Sequence, residues 1–239
     1  MLFAPKGKYI PIKNKIFING NPIDEVSETK FLGVIIDNRL TWASHIKYMK
    51  NKAAKGLGII LKCRKIFKTE TLLSLYNTIV FPYFNYCALI WGSAYSIHLE
   101  NAMVLQKKLI RIISGVKPRT HTLPLFEHLK ILTIKEVFYY TVGMFMYKFV
   151  RKKLPVIFDE LFIRVVDRHS RDTRISSFLQ TPQCKTERRQ HTIVYYGPRI
   201  WNIILREIDI NCSIGTFKCR LRSLLLSKHC EIFKNKNKT

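Results

Sequence analysis

At 239 residues the chain is long enough for one large folded unit or two small ones, and with 47% hydrophobic residues it is a folding rather than a disordered sequence. Its 41 Lys and Arg outnumber its 16 Asp and Glu, giving a formal net charge of +25. A chain that basic repels itself, so it points to a polyanionic partner, nucleic acid first and an anionic membrane surface second.

The first 15 residues, with Pro5, Gly7 and Pro11, read as weakly structured. Asn19-Gly20 supplies the positive φ values of a tight turn, so 16–18 and 22–23 are expected to pair as a hairpin. Phe31 to Ile36 reads as a third short strand, buried by its apolar run. Three strands alone cannot bury both faces, which hints at a sheet continued elsewhere. Asp37-Asn38 is turn chemistry, Thr41 a candidate cap, and a long helix is expected over 41–68. Trp42, Ile46, Met49, Ala53, Leu57, Ile60 and Phe67 form its apolar stripe.

No acid occurs between Asp37 and Glu70, whereas Arg39, Lys47, Lys50, Lys52, Lys55, Lys62, Arg64, Lys65 and Lys68 all do. An ordinary solvated helix face usually mixes both signs, so decoration with one sign favours contact with a phosphate backbone. Beyond it, Thr69 is a candidate cap and Leu72, Leu75, Tyr76, Ile79 and Val80 continue a helical pattern that Pro82 breaks or kinks. The stretch between Glu70 and Glu100 has no Asp, Glu, Lys or Arg, but Asn77, Thr78, Pro82 and Asn85 favour a buried helix pair over a membrane span.

A third helix is expected over 97–115, with Gln106, Lys107, Lys108 and Arg111 on its polar side. Residues 116–120 look like a linker and a domain boundary. Further buried helices are expected at 125–129 and 134–150, followed by a basic loop at about 164–192 that is either a connector or a second phosphate-contacting arm. Ile193-Val194-Tyr195-Tyr196 has strand character, Gly197-Pro198 turns into a helix, and a last amphipathic helix starts near Ser213.

Catalytic patterns are scarce. The six aspartates (Asp24, Asp37, Asp159, Asp167, Asp172 and Asp209) form no paired cluster on a strand, as a two-metal site requires. Phosphate loops and hydrolase or metalloprotease motifs do not occur, and His45 reads as a packing or capping residue. Cys212, Cys219, His229 and Cys230 match no standard zinc spacing, so no metal is assigned. With six cysteines, no C-x-x-C pair and no secretory signal, a reduced intracellular protein (cytoplasmic or nuclear) is expected.

The stretch Phe31-Leu32-Gly33-Val34-x-x-Asp37-x-x-Leu40-x-Trp42-x-x-His45-Ile46 resembles the palm-to-thumb junction of jockey-like non-LTR retrotransposon reverse transcriptases. The order of further segments is similar too: Leu75-Tyr76, Ile79, Pro82, Tyr86 and Trp91-Gly92; Gln106-Lys107-Lys108 with Ile110-Arg111; Leu125-Phe126 with Leu129; and Arg174, Tyr196-Gly197, Trp201-Asn202 and Phe217-Lys218. The resemblance runs from about Ile16 to Leu226. It implies a mainly α fold: a palm remnant of one hairpin or three strands over 1–40, a helical thumb-like domain over 41–118, and a helical C-terminal extension over 119–239. It further implies a primer grip at Phe31, Leu32 and Gly33 and a basic thumb holding a template–primer duplex. The catalytic Asp pair and its magnesium belong to a palm that precedes this region in the family. The expectation is therefore a truncated RNA-directed DNA polymerase, inactive alone and without a cofactor. The alternative is a stand-alone basic RNA- or DNA-binding helical protein.

Overall fold

The computed structural model describes residues 1–3, 16–163 and 178–228, and the fold is mainly α with a small β region at its N-terminal end. Asn19 and Gly20, at φ 49° and 77°, close a hairpin of β1 (Phe17–Ile18) and β2 (Asn21–Pro22). A second hairpin replaces the single buried strand expected over 31–36. Leu32 and Gly33, at φ 45° and 82°, turn the chain between β3 (Glu28–Phe31) and β4 (Val34–Asp37), with Phe31 opposite Val34. The described strands are thus four, in two two-stranded sheets, rather than three.

Hydrophobicity suggested a continuous strand, but a two-residue turn needs positive φ at both central positions, and Gly33 supplies one without steric cost. Leu32 takes the second, held by the Tyr86 hydroxyl, which donates to its carbonyl at 2.5 Å. Phe31 and Leu32 are consequently 61% and 74% exposed at the tip, while Val34 and Asp37 turn inward.

Asp37 then reverses the chain into helix α1 (Ala43–Cys63). Its carboxylate accepts from the backbone N–H of Arg39, Thr41 and Trp42 at 2.9–3.1 Å, and from the Thr41 hydroxyl. Trp42, at φ 62°, occupies the cap position itself, while the Thr41 hydroxyl, the expected cap, accepts from the Ala43 N–H at 3.4 Å. At the third residue of α1, buried His45 accepts at Nδ1 from the Ile35 N–H of β4. Trp91 packs its ring on His45 and donates to the Tyr86 carbonyl at 2.8 Å. One path of hydrogen bonds and ring contacts therefore joins both ends of the hairpin to the helices.

Helix α1 buries Ile46, Met49, Ala53 and Ile60 as expected, but it ends at Cys63, and Phe67 lies outside the core. Lys68, not Thr69, caps α2 (Thr69–Leu75), which passes into a wider π turn at Tyr76–Val80 before α3 (Phe81–Asn85). That wider turn absorbs Pro82, whose ring would otherwise strike the carbonyl four residues back. Tyr76, Val80, Phe84, Ala88 and Trp91 are buried in succession, so this region lacking Asp, Glu, Lys and Arg buries one face, while Tyr83, Tyr86 and Ile90 stay exposed on the other. No helix among the described residues is long and apolar enough to cross a membrane. Short α4 (Ala88–Trp91) packs so tightly on the next layer that a Cβ on Gly92 would fall 2.4 Å from the Phe138 ring.

Helix α5 (Ser96–Ile113) runs along α1, and it corrects one expectation. Gln106 does not share the polar side with its lysine neighbours but is 1% exposed. Its amide nitrogen donates to the Tyr76 hydroxyl and the Leu132 carbonyl, and its oxygen accepts from Ile134 N–H, each at 3.0 Å. Burial raises the Tyr76 hydroxyl above its ordinary range, partly offset by that Gln106 bond. After α6 (Leu123–His128), helix α7 (Ile134–Val150) begins with reciprocal Thr133–Glu136 hydrogen bonds.

Beyond a 3₁₀ turn at Val156–Leu161 and short α8 (Glu187–Gln190), the expected strand at 193–196 is instead the first turn of helix α9 (Ile193–Glu207). Its β-branched residues pack as helix because Tyr196 donates to the Leu89 carbonyl, and buried Gly197 and Pro198 sit inside the helix. Helix α10 (Ile214–Lys228) buries Phe217, Leu221 and Leu225 as expected. Much of the basic loop lies outside the described residues, as do Asp167, Asp172, Arg174, His229, Cys230 and the C-terminal tail. The hydrophobic core is continuous from Ile46 through Phe126 to Leu225, on both sides of the 116–120 segment.

Replacing Gln106 by Leu should keep the volume but strand three buried polar groups, lowering unfolding free energy by about 2–4 kcal/mol. Urea denaturation measures this, and an unchanged midpoint would show that Gln106 is not a structural bracket. His45 gives a pH dependence. Burial lowers its folded-state pKa below 6.5, so between that lowered value and 6.5 the unfolded chain binds more protons. Stability is then lost as pH falls through this window, and His45→Gln, which keeps an acceptor, should flatten the loss. Equal losses in both proteins between pH 7.5 and 5.5 would assign the effect elsewhere.

Candidate nucleic-acid interface

Helix geometry sorts the α1 cations. At about 100° per residue, Lys47, Lys55 and Lys62 fall within roughly a quarter-turn of one another, opposite the buried Ile46, Met49, Ala53 and Ile60. All three are exposed, as are Arg39 before the helix and Arg64 and Lys65 after it. Lys50 and Lys52 are half-buried on the two flanks. Among the described residues, no carboxylate lies within ion-pair distance of these side chains. The result is a one-sign ridge about 22 Å long from Lys47 to Lys62, at about 1.5 Å per residue.

Each flank is shaped by a neighbour. On one side the Tyr48 ring is approached by two ammonium groups, Lys52 Nζ at 5.4 Å and Lys30 Nζ at 5.2 Å from its centroid. Lys30 belongs to β3, so the hairpin adds a cation to the ridge. Reading 28–36 without the second hairpin hid this residue, and its position one step before Phe31 was the only available signal. On the other side, Lys47 and Lys50 edge a groove of about 330 Å³ with Ser44, His98 and Asn101 between α1 and α5.

The α5 cations are less uniform. Lys108 is exposed and Lys107 half-buried, whereas Arg111 donates through Nε to the Thr120 carbonyl at 2.8 Å and pins the 116–120 segment. Phe31, Leu32 and Gly33 share the hairpin tip beside half-exposed Tyr86, and a Cβ on Gly33 would sit 3.4 Å from the Tyr86 ring. An apolar knob thus stands beside a basic ridge. Such a surface can pair with phosphates and press on sugars or bases. Among the described residues, no group of three or more His, Cys, Asp or Glu could hold a metal ion.

No family model matches the chain, and no solved structure matches it. Similarity to curated proteins is clear over about half of its length, less than the Ile16–Leu226 span of the motif resemblance. It is 28% identical over 123 residues to the "probable RNA-directed DNA polymerase from transposon X-element" of Drosophila melanogaster, covering 50% of this chain and 13% of that protein. Against the RNA-directed DNA polymerase from mobile element jockey of Drosophila funebris it is 32% identical over 103 residues, 42% of this chain and 11% of the other. Against the probable RNA-directed DNA polymerase from transposon BS of Drosophila melanogaster the figures are 26% over 129 residues, 53% and 14%. The matched stretch therefore spans about an eighth of the relatives' length, and the chain's curated homologues are RNA-directed DNA polymerases of non-LTR mobile elements.

Proposed function

We propose that the chain serves as the duplex-holding part of a non-LTR element reverse transcriptase, with 41–118 acting as a thumb and 119–239 as a C-terminal extension. The observation that carries this reading is the exposed cationic ridge of α1, free of any acid from Asp37 to Glu70. The polymerase relatives supply the context. In this reading Phe31, Leu32 and Gly33 face the primer, and Arg39, Lys47, Lys50, Lys52, Lys55, Lys62, Arg64 and Lys65 hold phosphates, joined by Lys107, Lys108 and Arg111. The boundary at 118 divides roles rather than cores. Nucleotide transfer requires the clustered carboxylates of a polymerase palm, which these residues do not supply. The setting is intracellular, at the nucleic acid.

The continuous core favours a second reading, in which the same chain is a self-sufficient nucleic-acid-binding protein. One cooperative thermal transition in the purified chain would support it, while molten behaviour would favour a part that needs its palm.

Binding to an RNA–DNA duplex should weaken steeply with salt, because each phosphate contact contributes a slope of about −0.9 in log K against log salt. Reversing charge at Lys47, Lys50 and Lys55 should flatten that slope by about 2–3. An unchanged slope would remove α1 from the binding surface. Primer extension on an RNA template should yield no product with residues 1–239 alone, and clear extension would overturn the assignment of a holding role.

A further inference from the structure

The turn that joins α1 to α2 exposes every side chain from Lys62 to Lys68 except half-buried Cys63. It is a formed turn, since the N–H groups of Ile66 and Phe67 both donate to the Cys63 carbonyl at 2.9 and 3.0 Å. At its apex Ile66 is 78% exposed and Phe67 45% exposed. Exposed Lys62, Arg64, Lys65 and Lys68 flank them along the chain, and the nearest acid in sequence is exposed Glu70 in the first turn of α2. Apolar side chains held out among cations, with no apolar neighbour covering them, are costly in water and favourable against a polyanion that also offers an apolar surface.

We propose that this turn is an apolar wedge for a nucleic-acid duplex. Ile66 and Phe67 press on the sugar–base surface of a groove while the four flanking cations pair with phosphates on either side. The proposal rests on the reading of α1 as duplex-holding and adds a contact of a different kind at its far end. Charge complementarity and continuity select the occupant. Lys62 is both the end of the α1 ridge and the first cation of the turn, so a duplex lying on the ridge arrives at the wedge.

The test uses the full chain, a fluorescently labelled RNA–DNA duplex and vesicles containing phosphatidylserine. The double variant Ile66→Ser/Phe67→Ser should bind the duplex about tenfold more weakly with an unchanged salt slope, because lost apolar contact releases no counterions. Arg64→Gln with Lys65→Gln should instead flatten the slope by about 2. Thermal midpoints should stay level in both variants, since these side chains are exposed. Undiminished duplex binding by the serine variant would overturn the wedge while leaving the α1 reading intact. So would vesicle binding that the serine variant abolishes while its duplex binding stays whole. Failure of the unaltered chain to bind the duplex would overturn the α1 reading itself, and the wedge with it.

Discussion

The carboxylate of Asp37 meets the amides of three residues within five positions of its own, and this fixes how a strand becomes a helix. A hairpin of two four-residue strands has too little apolar surface to choose its own orientation. It is oriented instead from three points: Asp37 at its base, His45 against the Ile35 amide, and Tyr86 against the Leu32 carbonyl. Release any of these and the tip residues lose their place relative to the α1 ridge. The residues that carry the resemblance to retroelement polymerases are thus largely those that hold the hairpin on the helices.

A second bracket acts deeper. Gln106 ties α5 to the π turn and to the start of α7, all within the interior. Buried polar groups with complete partners specify one arrangement where apolar packing alone tolerates several. With the interior settled this way, the exterior of α1 is free to carry charge of a single sign. That arrangement suits a polyanion-binding part of the kind the polymerase relatives suggest.

Much of the helical fold could be read from spacing. The 17 residues of α7 fall at the expected bounds, and the inward residues of α1 and α10 follow their apolar stripes. Failures came where tertiary contact overrode local preference. A run of Phe, Leu, Val and Ile hid the Leu32-Gly33 turn, in which Leu32 sits at positive φ with its carbonyl held by Tyr86, 54 residues away. Residues 193–196 looked extended, yet the interior they face is shaped for a helix. Gln106 resembled its charged neighbours in polarity, and only the fold shows that it faces the other way. At the candidate interface the cations were evident in sequence, but Lys30 and the pinned role of Arg111 emerge only from the fold.

The unbroken core has a mechanical meaning. Among the described residues, one cluster of buried side chains runs from the charged helix to the C-terminal helices, so strain applied at the ridge is shared across it. A pull along α1 would therefore be borne by the helices packed behind it, while Asp37, His45 and Tyr86 hold the hairpin tip in place against that body.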